Sequence, residues 1–194
     1  MLVEIVAVTN GEASHPHSES ASALNLAALR AHESRVALCR LGWEKPTVTQ
    51  LNLPDGRIGE HRQKLADALS SILLPDDLCV APWHRDGHPD HDVCGDAAIA
   101  ASRAVGAKHL GYMVWSWHWA DPDGSDIPWD RCMRVDLDRR QRARKRWATS
   151  AFRSQVSPIG SQSADAAILP EPILRRFWRP FEVLIADANA NASS

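Results

Sequence analysis

The segment His84-Arg85-Asp86-Gly87-His88-Pro89-Asp90-His91-Asp92 holds three histidines and three aspartates in nine residues. His84, Asp86, His88 and Asp90 recur at every second position, and His91 follows directly. Imidazole nitrogen and carboxylate oxygen at this density suit a divalent cation such as Zn²⁺. A polar surface loop draws on the same residue types, but seldom packs them so closely. An imidazole can also hand a proton or a hydrogen bond to a reacting group.

The elements that must hold this segment are readable on either side. Leu78-Cys79-Val80-Ala81-Pro82-Trp83 is an apolar run long enough for a buried strand. Downstream, Val93, Ala97, Ala98, Ile99, Ala101, Ala104 and Val105 form a helical pattern, and Gly106 predicts its stop. Pro89 suits the first helical position, where its missing N–H costs nothing, and it biases His88 toward an extended backbone. The cluster is therefore expected on a strand-to-helix turn. In a parallel α/β sheet such turns lie at the carboxyl edge, where ligands bind.

The rest of the chain repeats the alternation. Residues 2–8 are a β-branched run typical of a strand. A polar turn spans 9–17, then Ser20 or Ser22 caps a helix running to about Leu41, with Gly42 as its stop. Residues 47–53 read as a strand, Pro54-Asp55-Gly56 as a turn, and 58–74 as a helix. Residues 109–119 are predicted to be an aromatic strand and 120–130 a loop. Residues 132–137 read as a short strand, and Asp138 caps a basic helix from Arg139 to about Gln155. A loop over 157–165, a short helix over 171–178 and a strand over 181–186 follow. The tail 188–194 is small and polar and predicted to be disordered. This order predicts an α/β fold: one Rossmann-like, three-layer domain over residues 1–187 with a mostly parallel sheet.

Composition narrows the class. A chain of 194 residues with 44% hydrophobic content can build one domain with a sizeable core. A net charge of −2 gives no general electrostatic argument for nucleic acid or membrane as a partner. No apolar run approaches the length of a membrane span, and residues 1–9 lack the basic start of a secretory leader. Cys39, Cys79, Cys94 and Cys132 form no C-x-x-C and each adjoins apolar sequence. They are expected to be reduced, core or near-core residues of a cytoplasmic protein.

Several stretches, in order and spread over nearly the whole chain, resemble the PIG-L / LmbE-like family of zinc-dependent N-acetyl-sugar deacetylases. They are Thr9-Asn10-Gly11-Glu12; Arg30-Ala31-His32-Glu33 with Ala37 and Leu41-Gly42; Leu53-Pro54-Asp55-Gly56; His84-x-Asp86-x-His88-Pro89-Asp90-His91; Arg144-Lys145 through Ser154-Gln155; and Phe181-Glu182-Val183. The family's opening A-H-P-D-D-E, which supplies a histidine and an aspartate to zinc and a second aspartate as general base, has no counterpart here. The sequence-based expectation is thus a domain lacking the family's first βα unit. Its sheet would carry a gap, and its zinc would bind weakly through one remaining ligand.

The resemblance implies roles. His91 is the zinc ligand, His88 the residue that stabilises the oxyanion or protonates the leaving amine, and Asp90 the residue that orients His88. Arg30 and Asp55 match positions that contact substrate hydroxyls. The implied substrate is a small N-acetyl amino sugar or its conjugate. His84 is left without a role. Asp86 reads equally as an Asx residue of its own turn, Glu12 as a turn carboxylate or a near-site group, and Arg30 as a surface partner of Glu33 or Ser34.

Trp115, Trp117 and Trp119 alternate, which on a continuous strand puts them on one side, as core packing or as an aromatic wall. Arg139, Arg140, Arg142, Arg144, Lys145 and Arg146 read as a solvated helix face or a cover for an anionic substrate, not a nucleic-acid site. Two rivals stand beside the deacetylase. One is a metallo-β-lactamase-type hydrolase with a degenerate H-x-H-x-D-H; the other is a truncated, non-catalytic relative. Neither the specific substrate nor the oligomeric state is written in the sequence.

Overall fold

The computed structural model describes residues 3–20, 22–121 and 123–187. The predicted start of the first strand at Leu2 and the predicted tail 188–194 lie outside them. The chain divides into two compact units, Met1–Gly56 with Leu137–Pro180, and Arg57–Asp136 with Phe181–Ser194.

In the first unit, β1 (Ile5–Ala7) pairs in parallel with β2 (Val48–Gln50), Ile5 opposite Val48. The crossover between them is α1 (Ala23–Leu41). Of the two candidate caps, Ser22 does the work, accepting from the Asn25 amide at 3.3 Å. Gly42 ends α1 at φ 108°, a left-handed conformation that a side chain would strain. Cys39 is exposed, against expectation, because it lies on the solvent side of this helix. α5 (Arg139–Thr149) carries the predicted Asp138 cap, completed by the Asp138 amide donating to Gln141 Oε1. It packs on α1 through Ala37 and Ala148, small residues that let the two helices approach, with Ala151 just beyond α5 in the same cluster.

The unbroken helix expected to Gln155 is interrupted. α5 stops at Thr149 and the chain restarts as α6 (Arg153–Val156). The break delivers both the Ser154 amide and the Ser154 hydroxyl to the buried Glu33 carboxylate, at 2.8 and 2.7 Å. Such a carboxylate satisfies N–H groups that a helix start leaves open. A second buried carboxylate, Asp165, ties two loops together. It accepts from the Ser18 and Ser20 hydroxyls at 2.5 and 2.8 Å and from the Gln162 amide at 3.1 Å. α7 (Glu171–Phe177) completes the unit.

The second unit begins with a 3₁₀ turn, Ile58–His61, leading into α2 (Arg62–Ile72). β3 (Leu78–Pro82), α3 (Pro89–Val105) and β4 (Lys108–Tyr112) form a β-α-β unit with parallel strands. α4 (Ser116–Trp119), β5 (Cys132–Asp136) and β6 (Phe181–Ala186) follow. The sheet order is β3-β4-β6-β5, with β6 antiparallel to both neighbours. Trp83, Met113, Ile127 and Ile185 form its core cluster.

The predicted strand 109–119 ends at Tyr112 and gives way to the helical turn α4. The cause is the carboxylate of Asp86, which draws in the consecutive amides of Val114, Trp115 and Ser116 at 2.9, 2.7 and 2.9 Å. A strand points successive amides to opposite sides, so the segment must coil to converge three of them. The tryptophans therefore form no stripe. Trp117 Nε1 donates to the Met113 carbonyl, Trp119 Nε1 donates to the Asp86 carbonyl, and Trp115 stacks on His118.

Candidate active site

The histidine–aspartate segment lies where β3 turns into α3. His88 is the N-cap residue of α3 with extended backbone, and Pro89 occupies the first turn as its fixed φ favours. Gly106, at φ 81°, closes the helix. Gly95 brings α3 against the end of β3. A Cβ there would lie 2.6 Å from both the His84 amide nitrogen and the Pro82 carbonyl oxygen.

Asp86 organises the turn. Its side chain is wholly buried and accepts from three backbone amides, the Ser116 hydroxyl and His91 Nδ1, the last at 2.6 Å. Burial by itself would raise the Asp86 carboxyl. The bonds from His91, the Ser116 hydroxyl and the Ser116 and Trp115 amides outweigh it and bring the pKa to about 2. Asp86 is thus an ionised acceptor at neutral pH, which obliges His91 Nδ1 to carry the proton. In the neutral ring Nε2 is then the lone-pair nitrogen. A carboxylate behind an imidazole in this way orients metal-binding histidines generally. The Asx alternative gives way to a longer-range role, since these acceptors bind amides some thirty residues on.

The other predicted residues of this turn are placed as follows. The His88 ring lies 4.5 Å from that of His91, centroid to centroid, and meets Trp115 edge-on at 5.6 Å. Asp90 is buried and accepts from the Ile58 amide at 3.2 Å, fixing the start of the turn before α2. His84 faces Asp96 at 3.5 Å, and Asp96 also binds Arg62 at 2.9 Å. Burial pushes the Cys94 thiol up to about 12, so it stays protonated and offers no thiolate.

Arg30, Asp55 and Glu12 come together in the first unit. Asp55 Oδ1 accepts from the Thr9 hydroxyl at 3.0 Å and Oδ2 from the Ala13 amide at 2.9 Å. The Asp55 amide donates to Glu12 Oε1 at 3.0 Å. Arg30 lies against Gly11, where a Cβ would sit 2.2 Å from Nη1. Burial lowers the Arg30 pKa, opposed by the charges of Asp55, Glu33 and Glu12. Its Nε and Nη2, and Glu12 Oε2, are buried and make no hydrogen bond among the described residues. Glu33, a candidate surface partner of Arg30, is buried and holds the Ser154 amide and hydroxyl, and it acts on Arg30 through its charge.

No group of three or more histidine, cysteine, aspartate or glutamate side chains among the described residues is arranged to hold a metal ion. The fit to zinc is therefore partial: one imidazole of the right tautomer with its carboxylate behind it, short of the three or four donors of a complete site. Ser116 and the 114–116 amides escaped sequence reasoning, since nothing in the local spacing announces that this segment folds back on Asp86.

Comparison with known proteins follows the same lines. A search of curated proteins found no match. Among solved structures, the chain resembles the A40926 pseudoaglycone deacetylase Dbv21, with TM-score 0.66 and 19% identity over 95% of this chain and 84% of that one. A zinc-inhibited form of teicoplanin deacetylase Orf2 gives 0.61 and 14%, over 97% and 89%. The N,N'-diacetylchitobiose deacetylase of Pyrococcus horikoshii gives 0.55 and 19%, over 93% and 72%. At these identities the likeness establishes the α/β fold. The sequence itself matches the PIG-L family model, described as GlcNAc-PI de-N-acetylase, over residues 2–102, and the chain belongs to that family.

Proposed function

We propose that the chain is a hydrolase that removes the acetyl group from an N-acetylated amino sugar or its conjugate, assisted by a divalent cation, zinc in the first instance. The observation that carries this reading is the Asp86–His91 pair at the β3–α3 turn, 2.6 Å apart, which leaves the His91 Nε2 lone pair for a cation. Family membership and the deacetylase names of the similar structures support it. A cation of this kind supplies positive charge to an amide carbonyl and to a bound water.

The chain's own groups orient, bind and donate, while the carboxylate that takes the proton of the attacking water in the family belongs to the opening motif without counterpart in this sequence. Asp86 keeps His91 in one tautomer and one orientation. His88, beside it, donates a hydrogen bond to the oxygen of the attacked carbonyl or a proton to the departing amine, and Asp90 is the residue that orients His88. Arg30, with two buried donors lacking acceptors, suits sugar hydroxyls. Asp55 has both oxygens engaged, so hydroxyl binding by it requires sharing them.

A second reading, a sugar-binding relative without turnover, is favoured because the described residues bring together no group of three such donors. Acetate release from N-acetylglucosamine derivatives, with Zn²⁺ added to the purified chain, separates the two. The first reading expects release that falls at least about a hundredfold in His91→Ala. Sugar binding with no acetate released, whatever the metal, would replace it by the second.

A further inference from the structure

The basic helix α5 has no part in the proposed chemistry, and its surroundings are unusual. Arg140, Arg144 and Trp147 fall at i, i+4 and i+7, one face of the helix. That face adjoins the end of α1. Arg144 Nη1 donates to the Leu41 carbonyl at 3.2 Å. Arg40 Nη1 donates to the Trp147 carbonyl and the Ser150 hydroxyl, both at 2.9 Å, with its guanidinium 5.4 Å from the centroid of the Trp147 ring. Carbonyl and hydroxyl partners leave both positive charges unneutralised. Arg139, Arg140 and Arg142 are exposed beside them. Among the described residues no carboxylate pairs with any of these five arginines. Asp138 is committed to the Gln141 amide, and Glu44 is offset by the adjacent Lys45.

Apolar groups stand exposed on the same two segments: Trp147 at 59% on α5, and Leu41 at 40% and Trp43 at 37% at the end of α1. Two indoles and a leucine add apolar surface to the two segments that carry the unpaired arginines. Cations ringed with tryptophan and leucine are the composition of a surface that sinks into the headgroup layer of a bilayer. Nucleic acid fits less well. Leu41 offers it nothing, and Arg40 already covers one face of the Trp147 ring that a base would need.

We propose that the face formed by the end of α1 and the adjoining side of α5 docks on an anionic lipid bilayer, with the arginines at the phosphates and Trp147, Trp43 and Leu41 at the headgroup–acyl boundary. No helix among the described residues is long and apolar enough to cross a membrane, so this contact is a surface one.

The test is co-sedimentation of the whole chain with vesicles of phosphatidylcholine alone and of phosphatidylcholine with roughly one-third phosphatidylserine, a composition that attracts basic segments. Binding is expected to the second only, weakening as salt rises. Arg140→Ala should lower the partition coefficient about fivefold, and Arg139→Ala/Arg140→Ala about twenty-five-fold. Trp147→Ala should lower it at least about fivefold, with an unchanged melting curve confirming the fold. Acetate release by Arg140→Ala should equal that of the parent chain, so loss of docking is distinguishable from loss of turnover. Equal binding to neutral vesicles, no binding at low salt, indifference to these substitutions, or retention of single-stranded nucleic acid in place of vesicles would each overturn the proposal.

Discussion

Asp86 shows how one carboxylate can set the shape of a site from beneath it. Replacing it with alanine leaves the Val114, Trp115 and Ser116 amides without an acceptor. Buried donors stranded in this way should cost about 3 kcal/mol or more in total, read as a lower midpoint in guanidinium unfolding. Asp86→Asn is the more informative change. The amide keeps the shape but loses one acceptor oxygen, and the NH₂ group would meet His91 Nδ1–H. Nitrogen-15 shifts of the His91 ring should then show loss of the single Nδ1–H tautomer. An unchanged ring spectrum would mean that Asp86 does not hold the imidazole. The sequence points to the residue types here but not to this arrangement. His88, Asp90 and His91 are legible because they are neighbours in the chain. The acceptor role of Asp86 depends on a segment that returns from far along it.

At the level of elements, the boundaries with a local chemical signal were the readable ones. Ser22, Gly42, Pro89, Gly106 and Asp138 sit at the helix ends their residue types indicate. Two of the departures came from long-range capture: Asp86 coils the end of the expected aromatic strand, and Glu33 splits the expected basic helix. Spacing of two along Trp115, Trp117 and Trp119 cannot reveal either event, since a coiled segment can carry the same spacing. Close approach is also illegible in advance. Gly95 sits in an alanine-rich helix, where alanine would raise intrinsic helix propensity. Its Cβ, however, would meet backbone atoms of Pro82 and His84, which cannot rotate aside. Gly95→Ala should therefore destabilise by about 1–3 kcal/mol despite better propensity, as overpacked sites do. A thermal melt at or above that of the parent chain would show that α3 can slide off β3 without penalty.

For the molecule as a whole, the α/β alternation and the family resemblance were legible because they are distributed along the chain, from Thr9-Asn10-Gly11-Glu12 to the 84–91 turn, within the stretch that the family model matches. The antiparallel placement of β6 between β4 and β5 was not, because pairing of a closing strand leaves no mark in its own residues. The buried carboxylates leave a global signature instead. Asp86, despite its burial, is held at about 2 by its hydrogen bonds, and Asp165 is held below the usual carboxylate range by Ser18, Ser20 and the Gln162 amide. In the unfolded chain both revert to ordinary values near 3.8. The unfolded state then binds more protons than the folded one across this interval, so stability rises with pH through it. The stabilisation is fully present above the unfolded value and is lost as pH falls through the folded one. Urea midpoints should accordingly be steady near neutrality and fall steeply from about pH 4 to about pH 2. Asp165→Asn should lower the midpoint at neutral pH and flatten part of that fall, since an amide has no proton to gain. A variant whose acid limb stays parallel to that of the parent would show that Asp165 titrates alike in both states, and that the loop clamp of Ser18, Ser20 and Gln162 adds nothing to folding.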